Sequence, residues 1–472
     1  MKELGRRFRF ITLLTVVLAI VIAFTQHLRH PNAPTAIDNF ALDFRVIYCA
    51  SEAARHGQDP YLVEPLRSCE HRVGLEPNEP AWSVTPLPLP SYAIALFLPL
   101  SLLPFAFAKA LYLIIMLLSI SLAAAVLGAI LRAPTLGVYW AFGSMVVALN
   151  LLYGEPVPLA IGALCLAGYL LELGKPRSAA VVAALAAVQP HLALPALVAL
   201  LIFRPQARVT LLAALAVLAA VGLATLGLDH NLEYFTTVLP LHARAELLAN
   251  DQFGLSRVLY LMGAAPQLAL TLGSVSYAFM AIAGLVFARR FADTLERPAL
   301  LVLFPVAAVT LGGAFIHDVQ IAAALPAMLL LAERSWLPRI GIALLAVLWW
   351  DTLLADLYRV VLAAIGTTIV FLPRMSLRVR IAWLVGAPAV GLLLLLALPP
   401  EPGYSYETFG TPNPAVRASD PASLAWRWRI ALSPGRTTPS VRIELEKVPV
   451  WLALGLLFFV RPRKPQSDAP AP

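Results

Sequence analysis

The chain has 472 residues, of which 60% are hydrophobic and 13% are charged, and its formal net charge is +8 at pH 7. Soluble domains carry about 25% charged residues, so this composition excludes an ordinary water-soluble fold. The arginines stand in small groups between apolar runs instead of forming a basic face, which argues against nucleic acid as a partner and is typical of cytoplasmic helix ends. We therefore expect an all-α polytopic membrane protein.

The first element along the chain is a hydrophobic helix close to the N-terminus. Basic residues between Lys2 and Arg9 precede an apolar run from Phe10 to Phe24, which is the order found in signal peptides. No small-residue cleavage site follows this run. We therefore predict an uncleaved first transmembrane helix whose N-terminus lies in the cytoplasm.

Further apolar segments recur as far as the C-terminus, and they predict a helical bundle with about 12–14 crossings. Three polar insertions interrupt these segments. Because Lys and Arg favour the cytoplasmic side, the arginine clusters place all three insertions on the outer face. The predicted division is a bundle over 1–398 with outer loops at 26–85 and 229–259, a third outer loop or small lid at 399–447, and a last transmembrane helix with a cytoplasmic tail at 448–472.

Proline interrupts two of the apolar segments, 86–104 and 178–203. In the second segment, Gln189-Pro190-His191 stands between two basic flanks. Proline removes a backbone donor and stops a straight helix, so either two half-helices meet here or one long helix is kinked. Broken backbone at membrane depth is tolerated only beside protein or a wet cavity. We therefore predict that residues 189–191 border a cavity.

The first outer loop contains an amphipathic stretch from Asp43 to Arg55. Its apolar residues share one stripe at helical spacing, while charged residues such as Arg45 lie opposite, so we predict a helix along the membrane surface. Asp43 heads this helix and is placed to take a proton from a substrate hydroxyl at the bilayer's polar edge. The alternatives are that Asp43 only caps the helix, or that nearby Asp38 is the base.

The three cysteines, Cys49, Cys69 and Cys165, lack the spacing of metal ligands, and the sequence predicts no metal site. Cys49 and Cys69 share the first outer loop and would pair if that loop faced an oxidising compartment. Free thiols are the simpler interpretation and the one favoured here.

The motif Asp43-Phe-Arg-Val-Ile-Tyr48-x-Ala50, followed by Gly57-Gln-Asp-Pro-Tyr61, resembles the first outer loop of glycosyltransferase family 87. Members of this family are polyprenol-phosphate-dependent mannosyltransferases of the GT-C superfamily of membrane glycosyltransferases. Three later stretches follow the family's order along the chain. They are the Pro-rich segment Pro86 to Pro104, Gly154-Glu155 and Gln189-Pro190.

The chain also departs from the family pattern. Family members usually have Tyr-Pro-Pro near Thr85-Pro86, Gly-Gln in place of Gly154-Glu155, and Lys-Pro in place of Gln189-Pro190. The absent lysine would have supplied a positive charge for a lipid-linked phosphate. Another cation must serve, or the donor differs.

The resemblance implies a GT-C-like bundle with outer-face loops and surface helices. It also implies an inverting transfer of mannose or a related sugar from a polyprenyl-phosphate donor to a lipid or glycan acceptor. Asp43 would be the general base, and the site would face the periplasm or outside of a bacterial cytoplasmic (inner) membrane. The expected partners are the lipid-linked donor, the acceptor and membrane lipids, with no certain cofactor beyond the donor substrate.

The remaining candidate site residues follow from charge and position. Arg257 and His317 stand at outer helix ends, where they would stabilise the leaving phosphate. His317 has helix-end packing as an alternative role, and Glu155 either lines the cavity or caps the following helix. The predicted donor- or acceptor-binding residues are Arg257, His317, Tyr48, Glu155, Gln189 and His191.

The third insertion contains Trp426 and Trp428, whose alternation is typical of one face of a strand. Residues 440–447 alternate in the same way, so a small β-hairpin lid is expected. The tryptophans would stack on sugar rings or anchor the chain at the membrane interface.

Two other classes of function compete with the enzyme. A transporter or lipid flippase would place its polar residues deep in the membrane along a path. A non-catalytic assembly factor would have no pocket in which acidic and basic residues converge. An enzyme of this kind needs such a pocket at one membrane face.

Overall fold

The computed structural model describes residues 2–29, 41–74, 82–141, 153–249, 251–346, 361, 364–371, 376–397, 416–432 and 441–461. Within these ranges the chain is helical, and β-structure is confined to two isolated bridges, Leu62–Pro421 and Gln252–His317. The expectation of an all-α protein is confirmed.

The helices are α1 (Lys2–Arg29), α2 (Phe44–Arg55), α3 (Val63–Val73), α4 (Ser91–Phe97), α5 (Phe105–Leu131), α6 (Val157–Glu172), α7 (Pro176–Leu185), α8 (Pro190–Phe203), α9 (Arg208–Glu233), α10 (Leu239–Glu246), α11 (Leu255–Leu261), α12 (Pro266–Leu295), α13 (Leu300–Gly312), α14 (Asp318–Ile321), α15 (Leu325–Ala332), α16 (Leu337–Ala346), α17 (Leu377–Ala397), α18 (Ala422–Leu432) and α19 (Val441–Leu456).

Three helical stretches in the described part are long and apolar enough to cross a membrane: Phe105–Leu131, Pro205–Glu246 and Pro266–Leu295. The most apolar windows of the last two are only 17% and 11% buried, so their apolar side chains need lipid around them. Other apolar helices have 10–17 residues, which is short of the ~20 that span the core singly. The membrane class is therefore confirmed, while the number of crossings stays a prediction.

The helix α13 lies at the centre of the bundle, packed against α12, α8, α6 and α15. Its side chains from Leu300 to Thr310 are all buried, as expected for a helix that is apolar on every side.

The stretch Pro205–Glu246 is continuous but not straight. Gly227 lies inside α9 with φ +72°, a conformation that favours glycine, and it bends the helix there. A π-helical turn, Tyr234–Val238, then joins α9 to α10. A π-turn shifts the side chains that follow it around the helix axis. It therefore sets which side chains of α10 point inward.

The predicted break at residues 189–191 is present. After α7 a 3₁₀ turn covers Ala186–Val188, and Gln189 is non-helical with φ −117° and ψ 82°. Pro190 then begins α8 at its first position, where its missing N–H costs nothing. The alternative of one long kinked helix is wrong. In the same way, segment 86–104 is extended as far as Pro90 before the short α4 begins.

The predicted helix in the first outer loop is α2, but it does not lie on the surface. Most of its side chains are buried, and Phe44 stacks on Tyr112 of α5 with ring centroids 4.5 Å apart. The expectation that Arg45 faces water is wrong. Its side chain is 5% exposed and lies 3.9 Å from the carboxylate of Glu70, because α3 and the Pro-rich segment cover this face of α2.

The cysteine expectation is also corrected. Cys49 and Cys69 form a disulfide, with their Cα atoms 5.6 Å apart. The chain turns at Gly57, whose φ is +66°, and this turn brings α3 back beside α2. Cys165 is a buried free thiol in α6.

The expected strand and hairpin lid in the third insertion are wrong. Trp426 and Trp428 lie in the helix α18, and α19 begins at Val441. An alternation of four residues is too short to distinguish a strand from a helix. Tertiary contacts decide it here: α18 packs on α10, and its start docks on the first loop where the Ala422 N–H donates to the Tyr61 carbonyl at 2.8 Å. Asp38, 399–415 and 433–440 lie outside the described residues.

Candidate active site

A cavity of about 590 Å³ opens between the start of α2, the Pro-rich segment, the break at 189–191, α10, α18 and the loop before α14. Its walls are mainly apolar, but ionisable side chains converge on it. The ionisable lining comprises the carboxyl groups of Asp43, Glu155, Glu246, Asp251 and Asp318, the imidazoles of His191, His242 and His317, and the guanidinium of Arg429.

Asp43 is placed in this cavity by backbone contacts. It is the N-cap residue of α2, yet its side chain makes no capping hydrogen bond, so the alternative that it only caps the helix is wrong. Its N–H donates to the Tyr153 carbonyl at 2.7 Å. The neighbouring Gly154 has φ +83°, and a Cβ there would lie 2.5 Å from the Cα of Ala41. Glycine therefore lets the loop before α6 approach the segment that carries Asp43.

Replacing Gly154 with Ala is expected to lower the free energy of unfolding by about 1–3 kcal/mol through backbone strain, and by more through the clash with Ala41. The control is Gly174→Ala, where φ is +67° but a Cβ would have no neighbour within 4 Å. Unfolding midpoints of the two variants check this. Equal losses of stability in Gly154→Ala and Gly174→Ala would contradict this prediction.

Glu155 lies in the loop before α6 and lines the cavity. The helix α6 has no acidic residue in its first turn and no side-chain cap, so the capping role considered for Glu155 is not seen. Desolvation is the main cause that raises the pKa of Glu155 to about 8. The charge of His317 lowers this pKa, whereas the nearby carboxylates of Asp43 and Asp318 raise it. Glu155 is therefore mostly protonated at neutral pH and can donate a hydrogen bond.

His317 is the centre of a polar cluster. Its Nδ1 lies 3.5 Å from a carboxylate oxygen of Asp251, and its Nε2 lies 3.5 Å from one of Glu246. It also precedes α14 and forms a capping box with Gln320, so helix-end packing and a cavity position occur together. Burial alone would lower the pKa of His317. The carboxylates of Glu246 and Asp251 outweigh burial and raise that pKa well above its usual value.

The segment 189–191 lines the cavity, as predicted. Gln189 is 4% exposed, and Nε2 of His191 is buried with no hydrogen-bond partner. The His191 carbonyl accepts a hydrogen bond from the Tyr277 hydroxyl at 2.6 Å, which anchors the start of α8 to α12.

Two predicted site residues are not among the side chains that line the cavity. Arg257 is 1% exposed, and its Nη1 donates to the Leu247 carbonyl at 2.6 Å, so it ties the end of α10 to α11. The Tyr48 hydroxyl donates to the Leu103 carbonyl at 2.9 Å while its ring packs against Phe105. In both cases the side-chain group that was expected to contact substrate donates a hydrogen bond to a nearby main-chain carbonyl instead.

Residues 90–317 match a family model. The family is glycosyltransferase family 87. This confirms the resemblance drawn from the first-loop motif, and it indicates a membrane glycosyltransferase. The matched residues include 154–155, 189–191 and 242–246 and end at His317, whereas Asp43 precedes them. No curated protein and no solved structure matches the chain.

Beside the matched positions the cavity contains residues that were not among the predicted site residues. His242 and Glu246 are four residues apart on α10, which puts both on one helix face, and that spacing was the available signal. Trp426 donates from Nε1 to Glu246 at 2.7 Å. Arg429 lies over the Trp426 ring and donates to the Thr85 hydroxyl. The last two come from the third insertion, and nothing local in the sequence connects that insertion to this cavity.

Proposed function

We propose that the protein transfers a sugar, with inversion, from a polyprenyl-phosphate donor to a hydroxyl group of a lipid or glycan acceptor. The observation that carries the proposal is the position of Asp43. It lines a cavity whose other ionisable residues belong mostly to the region matched by family 87. Mannose or a related sugar is the donor group that the family resemblance favours.

The chemistry assigns each proton and bond to a group. The acceptor oxygen attacks the anomeric carbon, and Asp43 takes the proton of the acceptor hydroxyl as the new C–O bond forms. The bond between the anomeric carbon and the phosphate oxygen breaks, and its electron pair leaves with polyprenyl phosphate, which gains one negative charge. That charge needs a positive group near the leaving oxygen.

Glu155 serves in this scheme as a neutral hydrogen-bond donor. A protonated carboxyl group has one donor and one acceptor on a planar end, much as a glutamine side-chain amide has. The family pattern has Gly-Gln where this chain has Gly154-Glu155. The raised pKa of Glu155 supports the idea that its acid form replaces the amide at this position.

Replacing Glu155 with Gln is therefore expected to preserve transfer at pH 6–7 and to remove a loss at alkaline pH. In the parent enzyme, transfer should fall as the pH rises through about 8, because Glu155 then loses the proton that it donates. Thermal stability should fall as the pH rises from about 4.5 to about 8 and then level off, because in this interval the unfolded chain releases the proton that folded Glu155 still holds. An identical alkaline decline in Glu155→Gln and in the control Glu233→Gln would contradict this role.

The outer-face location is part of the proposal. The Cys49–Cys69 disulfide supports it, because structural disulfides persist in oxidising compartments such as the bacterial periplasm. The cavity adjoins the same loop. Transport or lipid flipping would require polar residues along a path through the bundle. The ionisable cluster lies instead in one cavity beside the first loop, and the family match indicates a transferase.

A direct test uses the purified full-length chain in lipid nanodiscs. Polyprenyl-phosphate mannose and polyprenyl-phosphate glucose, labelled in the sugar, are offered together with a lipid extract as the acceptor source. We expect the label to pass to a new product with inverted anomeric configuration and polyprenyl phosphate to be released. Transfer from a nucleotide sugar, with both lipid donors inert, would overturn the proposed donor.

A further inference from the structure

The cavity presents an electrostatic problem for any phosphate-bearing substrate. Among the described lining residues are five carboxyl groups, of which Glu155 is mostly protonated, and the positive groups that face them are Arg429 and the His317 imidazole. Gln189 stands where the family pattern has a lysine, so that source of positive charge is missing. A phosphate is repelled by carboxylates at short range, and the repulsion is stronger away from bulk water. A further cation would resolve the conflict.

Three of the lining side chains have the geometry of a metal site. His242, Glu246 and His317 each offer a ligand atom, and these atoms all lie within 4.8 Å of one another. Nε2 of His242 is 3.6 Å from one oxygen of Glu246, and Nε2 of His317 is 3.5 Å from the other. Two ligand atoms about 2.0–2.2 Å from a tetrahedral Zn²⁺ are about 3.4 Å apart, which the two imidazole–carboxylate distances already match. The Gln252 amide nitrogen lies 2.9 Å from Nε2 of His317 and would have to move aside for an ion.

His242 places a buried imidazole at the cavity wall. Its side chain is 6% exposed and lines the cavity, and its Nδ1 is buried without a hydrogen-bond partner. The other ring nitrogen, Nε2, is the one that approaches Glu246, at 3.6 Å, so Nε2 is the ligand atom that His242 would offer.

The groups behind the three ligands fix their orientation. Asp251 lies 3.5 Å from Nδ1 of His317, the nitrogen opposite the one that faces Glu246. A carboxylate behind a histidine in this way orients the ring and makes it a better metal ligand. Trp426 and Gln252 each donate to one oxygen of Glu246, at 2.7 and 2.9 Å. These contacts hold the carboxylate at the cavity wall.

We propose that His242, Glu246 and His317 bind a divalent metal ion of the Zn²⁺ class, with at least one coordination position open to the cavity. Two imidazoles and one carboxylate form a donor set that suits Zn²⁺ and leaves room for a substrate oxygen. A phosphate oxygen of the donor takes this open position. The ion then stabilises the charge that develops as polyprenyl phosphate leaves. The phosphate role rests on the proposed function, whereas metal binding itself does not.

The experiment measures Zn²⁺ binding directly. The full-length protein in nanodiscs is stripped with a chelator and titrated with Zn²⁺ alone against a fluorescent chelator of known affinity. We expect one tight site, weakened about 100-fold or more in His242→Gln and in His317→Gln, and about 10–100-fold in Asp251→Asn. The matched control is His230→Gln. His230 belongs to the second metal-compatible group in the described part, Asp59–His230–Glu233, which lies away from the cavity wall. Its loss should leave the tight site unchanged.

Several results would overturn the proposal. They are the absence of tight Zn²⁺ binding to the parent protein, unchanged binding in His242→Gln with a parental unfolding midpoint, and loss of the tight site in His230→Gln. Asp251→Asn keeps the proposal testable if a ligand variant fails to fold, because Asp251 only supports His317. Sugar transfer by a protein that binds no Zn²⁺ refutes the metal site and leaves the proposed function standing. Tight Zn²⁺ binding without transfer from either lipid donor refutes the proposed function and leaves the metal site standing.

Discussion

Replacing Asp43 with Asn is expected to reduce sugar transfer by about 10²–10⁴-fold while the protein folds and binds its donor normally. An acceptor hydroxyl is a poor nucleophile until another group takes its proton, and an amide cannot take it. The amide keeps the size of the carboxyl group, and the side chain of Asp43 does not cap α2, so the helix loses no capping hydrogen bond. Initial rates and donor affinity of the purified variant separate the two effects.

The control for this variant is Asp59→Asn. Asp59 lies in the same outer loop and is absent from the described lining of the cavity, so its replacement should leave the rate near that of the parent. A parental rate in Asp43→Asn would refute the assignment. If only Asp38→Asn lost activity, the role of base would pass to Asp38.

Removing the disulfide, with Cys49→Ser and Cys69→Ser together, is expected to lower the free energy of unfolding by about 2–4 kcal/mol. The bridge closes a sequence separation of 20 residues and joins α2 to α3. Since Asp43 heads α2, transfer should become more sensitive to temperature in this variant. Unfolding midpoints and the temperature dependence of the rate measure both consequences.

Cys165→Ala is the matched control, because Cys165 is buried and unpaired in α6. It should shift the midpoint far less than the double variant. A double variant as stable as the parent, with equal protection of the first loop from proteolysis, would show that packing alone holds α2 against α3.

Features that depend on one residue's own backbone chemistry were predictable from the sequence. Proline at 190 stops a helix in any surroundings, and the break before α8 follows from it. The apolar runs likewise predicted helices because the bilayer demands them. The exposure of α2 was not predictable, since it depends on α3 and the Pro-rich segment folding over it. The helical state of Trp426 was equally hidden, because it depends on contacts with α10 and the first loop.

The candidate site was predictable only in part, for the same reason. Ionisable residues are rare in an apolar chain, so each of three site candidates could be recognised by itself in the sequence: Asp43, Glu155 and His317. His242 and Glu246 had a local spacing signal but gain meaning only beside His317, which is distant in sequence. Arg257 was placed in the site because it stands at an outer helix end, but its Nη1 donates to the Leu247 carbonyl, a contact that local sequence does not reveal.

The stretch Pro205–Glu246 has a mechanical consequence for the enzyme. Its first part, α9, faces lipid, and its last part, α10, carries His242 and Glu246. Bilayers of different thickness change the tilt of a lipid-facing helix, and a rigid rod would transmit that tilt to the cavity. The bend at Gly227 and the π-turn at Tyr234–Val238 lie between the two parts, so the stretch is not a single straight rod. We expect changes in tilt to be absorbed at these two places, so that α10 keeps its position in bilayers of different thickness.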